Sequence, residues 1–316
     1  MVCAVPPFTK RIEIACKDLT ELAFFPAFRT AEQLLPADHL YAGLRPFYQA
    51  RAAVNKGFKK SRFMTLPGFL EPLKAARAVV DQRRAFYLNQ IVDYFPDRLA
   101  GPKWRGRCRI EGIGHLQAAQ QKRRPVVIAF CHFGPFMLLR PWLRAAGFPA
   151  TVLMGGKASR RSPMRRFMDR YLLWPKSPPA LYHDHWHEVA ENLKAGHPLL
   201  VAVDVPGGKQ IHLPFCESWT FQMASGAVRL AIRHQAELIP CNIIDEGNWR
   251  FRIRLGRPVP RDFLTADADW FRAGKHLLDE MLPDFHAHPK QCTTDLIRCL
   301  KQNVIAPIPA PCVPAF

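Results

Sequence analysis

Two side chains able to handle protons stand where a buried strand meets a loop. His132 follows the apolar run PVVIAF (Pro125 to Phe130), and Asp204 closes the run PLLVAVDV (Pro198 to Val205). Imidazole titrates near pH ~6.5, so a neutral His132 can take a proton from a hydroxyl or an amine. The stretch AFCHFGPFMLLRPWL reads as strand end, histidine, glycine turn and helix. That order brings backbone N–H groups at a helix start beside the ring, through Phe133 and Gly134. Such amides can stabilise the oxyanion formed when an acceptor attacks a thioester. The plainer alternative is a histidine that only packs or caps the loop.

Other constellations compete. YHDHWHE (Tyr182 to Glu188) places His183, Asp184, His185 and His187 together, all metal-ligand types. A metal-dependent hydrolase is therefore the second reading. Against it, the segment reads as a helix start, where His185 and His187 diverge, and no H-E-x-x-H occurs. Cys131 adjoins His132, but neighbours at a strand end point to opposite faces, which argues against a thiolate–imidazole pair. Gly207 to Lys209 is no P-loop, and no G-x-S-x-G elbow is present.

The positioning elements follow from the patterning. Short continuous apolar runs mark buried strands at Pro125–Phe130, Ala150–Met154, Pro198–Val205 and Glu237–Ile244. WRFRIRLG alternates, as a strand with one polar face does. Helices are expected over Phe136–Ala146, ended by Gly147, over Ser162–Leu172, from His185 with Asp184 as cap and Gly196 as stop, over Met223–Gln235, and over Asp267–Met281. Alternating strands and helices predict an α/β fold with a mostly parallel or mixed central sheet flanked by helices, and a helical N-terminal segment. Functional groups then gather at the carboxyl ends of strands, where His132 and Asp204 lie. The expected division is a basic-aromatic helical segment over 1–100, an α/β domain over 101–304 and a proline-rich tail over 305–316.

The chain has 316 residues, with 45 Lys+Arg against 26 Asp+Glu, a formal net charge of +19. Such a surface attracts polyanions: nucleic acid, anionic membrane or an acidic carrier protein. The basic residues are spread out and no zinc-finger, homeodomain or RNA-recognition pattern occurs, so nucleic acid is not the expected partner. Nine cysteines without a C-x-x-C pair point to reduced thiols and a reducing compartment. The N-terminus MVCAVPPFTKRIEI lacks a long apolar stretch, and nothing reaches the length of a membrane span. RPFYQARAAVNKGFKKSRF (Arg45 to Phe63) interleaves aromatic and cationic residues, as an interfacial anchor on anionic lipid does.

Four blocks in order give a resemblance. HFGPFMLL, LKAGHPLLVAVD, LPFCESWTFQMASGAVRLA and ELIPCNI resemble the conserved blocks of the lipid A lauroyl/myristoyl acyltransferases, a branch of the lysophospholipid acyltransferase superfamily, over roughly residues 85–290. The resemblance implies transfer of an acyl chain from acyl carrier protein or acyl-CoA to a hydroxyl or amine of a lipid or lipid-like acceptor. His132 would be the general base, with no metal and no organic cofactor. With the unpaired cysteines and the lack of a spanning stretch, which differs from the typical lipid A enzymes, the expectation is a cytoplasmic protein, peripheral on the inner face of the cell membrane.

The chain departs from the superfamily's H-x-x-x-x-D/E motif: Met137 stands five residues after His132, and no Asp or Glu occurs from Gly112 to Met168. The acid must come through space, with Asp204 the first choice and Asp184 the second. Without it, a non-catalytic relative is the alternative. Phe133, Gly134, Met137 and Arg140 are the expected substrate contacts around the motif. Arg165 and Arg166, in the acid-free basic stretch, are expected to dock an acidic carrier or an anionic headgroup.

Overall fold

The computed structural model describes residues 8–54, 66–74, 76–154, 164, 167–173, 181–182, 185–216, 218–265 and 270–302. Helices α1 (Phe8–Leu34), α2 (Ala37–Val54) and α3 (Ala76–Gln90) come first, then strand β1 (Cys108–Glu111) and helix α4 (Ile113–Gln121). β2 (Val126–Phe130) leads to α5 (Leu139–Ala145), and β3 (Thr151–Met154) and β4 (Leu181–Tyr182) precede α6 (Trp186–Lys194). β5 (Leu199–Ala202), β6 (Gln210–Cys216) and β7 (Trp219–Ala224) lead to α7 (Gly226–His234). β8 (Glu237–Gly247) and β9 (Arg250–Leu255) form a hairpin. α8 (Trp270–Ala287), α9 (Thr294–Arg298) and β10 (Leu300–Gln302) close the described chain.

The central sheet runs β1-β9-β8-β2-β5-β3-β4, with β4 only two residues long. Every pairing is parallel except the β8–β9 hairpin, so the sheet is mixed and mostly parallel. Both faces are covered, which is why β2 is apolar without interruption. Its odd positions Val127 and Ala129 join a core with Ala227 and Val228 of α7 and Leu277 of α8. Its even positions Val126, Ile128 and Phe130 join a second core with Leu139 and Leu143 of α5 and with Phe28 and Leu88 of the N-terminal helices. This is the period of two expected of a strand between two layers.

The N-terminal segment thus shares a core with the sheet. Trp104 and Trp249, both almost fully buried, lie against it. The Trp104 indole N–H donates to Glu32 at 3.0 Å, and Arg29 grips Asp97 through two bonds of 2.8 and 2.9 Å.

Several expected elements shift. The helix expected from Met223 starts at Gly226, because Met223 and Ala224 belong to β7. α6 starts at Trp186 with His185 in the cap position, one residue later than Asp184 would place it. α8 runs on to Ala287, past Pro283. α1 continues through Pro26. A three-stranded antiparallel sheet, β10-β7-β6, was not foreseen. Of the expected basic helix over Ser162–Leu172, the last part is present as a π-helical stretch, Met168–Leu173; residues 162, 163, 165 and 166 and the proline-rich tail lie outside the described residues.

Candidate active site

The β2–β5 ladder pairs Phe130 with Ala202. It continues past the assigned strands, since the Val203 N–H donates to the Phe130 carbonyl at 2.9 Å. Two residues beyond Phe130 and Ala202 stand His132 and Asp204, on matching steps of neighbouring strands. Asp204 is completely buried, and its carboxylate meets His132 twice. Oδ1 lies 2.7 Å from the ring Nδ1, and Oδ2 accepts the His132 backbone N–H at 2.7 Å. One carboxylate therefore fixes both the ring and the loop that carries it.

An ionised Asp204 accepts hydrogen bonds only, so in neutral His132 the proton belongs on Nδ1 and Nε2 keeps its lone pair. The His132 side chain is 20 % exposed, so the base is sheltered but reachable. Burial alone would lower its pKa. The hydrogen bond to Asp204, that residue's charge and the charge of Asp295 outweigh it, and the pKa stands above the ordinary value. Phe136 meets the imidazole edge-on at 4.5 Å between centroids, and Phe130 and Phe86 extend the aromatic cluster from Phe136.

A segment that sequence reasoning missed clamps the loop. The Gly134 N–H donates to the Gln291 carbonyl at 2.9 Å, and Phe133 bridges Cys292 in antiparallel fashion. The Thr293 hydroxyl and N–H both donate to the His132 carbonyl. The Gln291 side chain in turn pairs with the backbone of Asp245 in β8, accepting its N–H and donating to its carbonyl, each at 2.9 Å. KQCTT carries no motif, so no local signal could have revealed these contacts; they arise from tertiary closure alone.

The other expected site residues have different fates. Phe133 is fully buried, with its ring 5.1 Å from that of Phe285, so it anchors the loop in the core instead of lining a substrate surface. Gly134 serves the backbone: its φ is +55°, and an added Cβ would overlap the Ile243 carbonyl oxygen. The Phe133 N–H is taken by the Cys131 carbonyl at 2.7 Å and that of Gly134 by Gln291, so these amides do not face an oxyanion. The N–H groups left without an intrahelical acceptor are those of Phe136 and Met137, in the first turn of the short helix Phe136–Leu138. Met137 is half-buried there, and Arg140 is half-buried on α5. Arg165, Arg166, His183 and Asp184 lie outside the described residues.

Cys131 points the other way, as the strand alternation requires. It is buried in the opposite core, 3.7 Å from the Met281 sulfur, and burial pushes its thiol well above the ordinary range. His185 and His187 are exposed, with His185 3.1 Å from Glu188. Among the described residues no group of three or more His, Cys, Asp or Glu is placed to hold a metal ion.

Beside the loop lies a hollow of about 40 Å³ lined by residues including Phe86, Asn89, Pro135, Asp245 and Thr293. That is water-sized, far below the roughly 300–1,000 Å³ of typical ligand pockets. Asp245 is largely buried there, which raises its pKa even though Asn89 donates to it at 2.9 Å.

No protein-family model matches this chain, and neither does any curated protein.

Proposed function

We propose that the protein is an acyltransferase that moves an acyl chain from a carrier-protein or CoA thioester to a hydroxyl or amine of a lipid-like acceptor. The observation that carries this reading is the doubly hydrogen-bonded His132–Asp204 pair at the carboxyl edge of the sheet. Asp204 takes the part of the acid absent at Met137. It holds Nδ1–H in place and balances the charge of the imidazolium that forms.

In the reaction, Nε2 takes the acceptor's O–H or N–H proton as that atom attacks the thioester carbonyl. We assign the oxyanion to the N–H groups of Phe136 and Met137, which begin the short helix after the loop and have no intrahelical acceptor. The tetrahedral intermediate collapses, the C–S bond breaks, and the imidazolium returns its proton to the departing thiolate. The water-sized hollow cannot house an acyl chain. We assign the acyl chain to the surface outside it, along the half-buried rings of Phe136 and Phe86, the first of which meets the base edge-on.

The test is acceptor-dependent release of free thiol from acyl thioesters by the purified protein, with the acylated product found by mass spectrometry. Thiol release that ignores the acceptor would indicate a hydrolase, and no release from either donor class would defeat the reading.

No described helix is long and apolar enough to cross a membrane. We place the protein peripherally, on the cytoplasmic face of the cell membrane. Ile12, Leu19 and Leu22 are exposed on α1 at spacings that keep them on one side of the helix, and Phe167, Tyr171 and Leu172 are exposed as well. With a formal net charge of +19, such residues suit an anionic bilayer. The protein should co-sediment with vesicles containing phosphatidylglycerol and not with pure phosphatidylcholine. Leu19→Glu/Leu22→Glu should weaken that binding by about tenfold or more, given ~1.5–3 kcal/mol for each large apolar side chain buried. Equal binding by the variant would remove α1 from the contact.

A further inference from the structure

A second concavity, of about 390 Å³, opens between α6, α7 and α8, away from the hollow beside the His132 loop. Its polar and aromatic wall is Trp186 at the start of α6, Arg229 and Arg233 on α7, and Trp270 at the start of α8. Leu230 and Ile232 supply apolar lining. Arg229 and Arg233 are four residues apart and both exposed, so they share a face of α7. Among the described residues neither has an ion-pair partner, although most arginines of the sheet edge do. The Lys209 ammonium adds a third cation, 4.2 Å from the centre of the Trp270 ring. Positive charge accumulates nearby: His234 is held below its ordinary pKa by burial and then by Arg233 and Lys194.

Among the described residues this wall combines cations with indoles and holds no carboxylate. Trp186 leaves 47 % of its surface in water, a large aromatic area without a cover. An inorganic anion would use the cations and leave the indoles idle. A membrane or a protein partner would want a flatter and wider surface, on the order of 800 Å² per partner for a specific complex. A concavity of this volume fits a small ligand that offers phosphate and a flat ring together.

We propose that this concavity binds a nucleotide phosphate, with the base on an indole and the phosphates on Arg229, Arg233 and Lys209. Resting on the acyl-transfer reading, this ligand is the nucleotide end of a CoA-type donor, which selects acyl-CoA over a carrier-protein thioester. The concavity lies on the α7–α8 face of the sheet and the His132 ring on the α5 face, so the donor's arm must cross the carboxyl edge between them. Gly226 lines the concavity, and two residues earlier the Ala224 N–H donates to the Val203 carbonyl at 2.7 Å, next to Asp204.

The probe is adenosine 3′,5′-bisphosphate, titrated calorimetrically into the full-length protein, with inorganic phosphate and adenosine as controls. The nucleotide should bind at least about tenfold tighter than either control. Trp186→Ala and, separately, Arg229→Glu/Arg233→Glu should each weaken it by about tenfold or more, equivalent to ~1.4 kcal/mol, with an unchanged melting temperature. His132→Asn should bind it as the native protein does. Binding no tighter than that of phosphate, or indifferent to both variants, overturns the proposal. So does capture of an acidic carrier protein by the native protein but not by the Arg229→Glu/Arg233→Glu variant, with no nucleotide binding. If the nucleotide binds as described and no thioester is consumed, the acyl-transfer reading fails while the nucleotide site stands. If carrier thioesters are consumed and the nucleotide does not bind, the nucleotide site alone fails.

Discussion

Asp204→Asn should lower the transfer rate by about three to four orders of magnitude while leaving the protein folded, the scale of loss seen when a histidine base loses its orienting carboxylate. The geometry dictates why an isosteric change is so costly. The Oδ2 position accepts the His132 backbone N–H, a fixed donor, at 2.7 Å. The asparagine must therefore turn its carbonyl oxygen to that N–H, and its NH2 then faces Nδ1. Only an unprotonated Nδ1 can accept from it, so the ring proton moves to Nε2, the atom that has to receive the acceptor's proton. The base is disabled by its tautomer, with the loop still held. Steady-state thiol release by both proteins measures the loss, and circular dichroism checks the fold. A loss of less than about tenfold would remove Asp204 from the mechanism. Met137→Glu, which restores the acid that the superfamily motif carries, should leave the rate within about tenfold of native, because Asp204 already occupies Nδ1.

The second large effect is on stability. Gly134→Ala should destabilise the fold by about 3 kcal/mol, roughly 4–5 °C in melting temperature for a chain of this size. Left-handed backbone disfavours any Cβ, and here the added atom meets the Ile243 carbonyl, part of a strand that cannot retreat without breaking its pairing with β9. Gly147, at φ +90°, is the control: an added Cβ meets nothing within 4 Å. Gly147→Ala should carry only the conformational cost, about 1–2 kcal/mol. Thermal denaturation of the two variants separates the contributions, and equal losses would mean that the contact with Ile243 relaxes freely. Because Gly134 lies two residues from His132, its variant should also lose transfer activity at temperatures where it remains folded.

The sheet was legible because its strands are buried on both faces. VVIAF and PLLVA have no polar position to confuse them with an amphipathic helix, and their ends placed His132 and Asp204 at one edge. What the sequence does not encode locally is register. That the two strands are adjacent, and that Phe130 pairs with Ala202, decides that the two side chains meet, and this depends on a contact between residues 72 positions apart. The antiparallel β6–β7 pair was missed although QIHLPFC alternates, with Ile211, Leu213 and Phe215 buried and His212, Pro214 and Cys216 exposed. Pro214 inside it is a residue that normally interrupts a strand, which obscures the period of two. The short helix after the histidine shows a further limit. Phe133 and Gly134 had the right positions for amide donors, yet their N–H groups are taken by Cys131 and Gln291, and only tertiary closure by the 289–293 segment reveals it.

The pH dependence of acceptor-dependent thiol release, compared between the native protein and Asp204→Asn, tests most directly whether His132 is the base. The base is the neutral ring, and Asp204 raises its pKa. Native activity should therefore rise with pH through a single ionisation above pH ~6.5, the ordinary imidazole value. In Asp204→Asn the residual activity should titrate at lower pH, because burial still disfavours the imidazolium while the opposing carboxylate is gone. Profiles that coincide in the two proteins, or a native rate without any ionisation in this range, would contradict it.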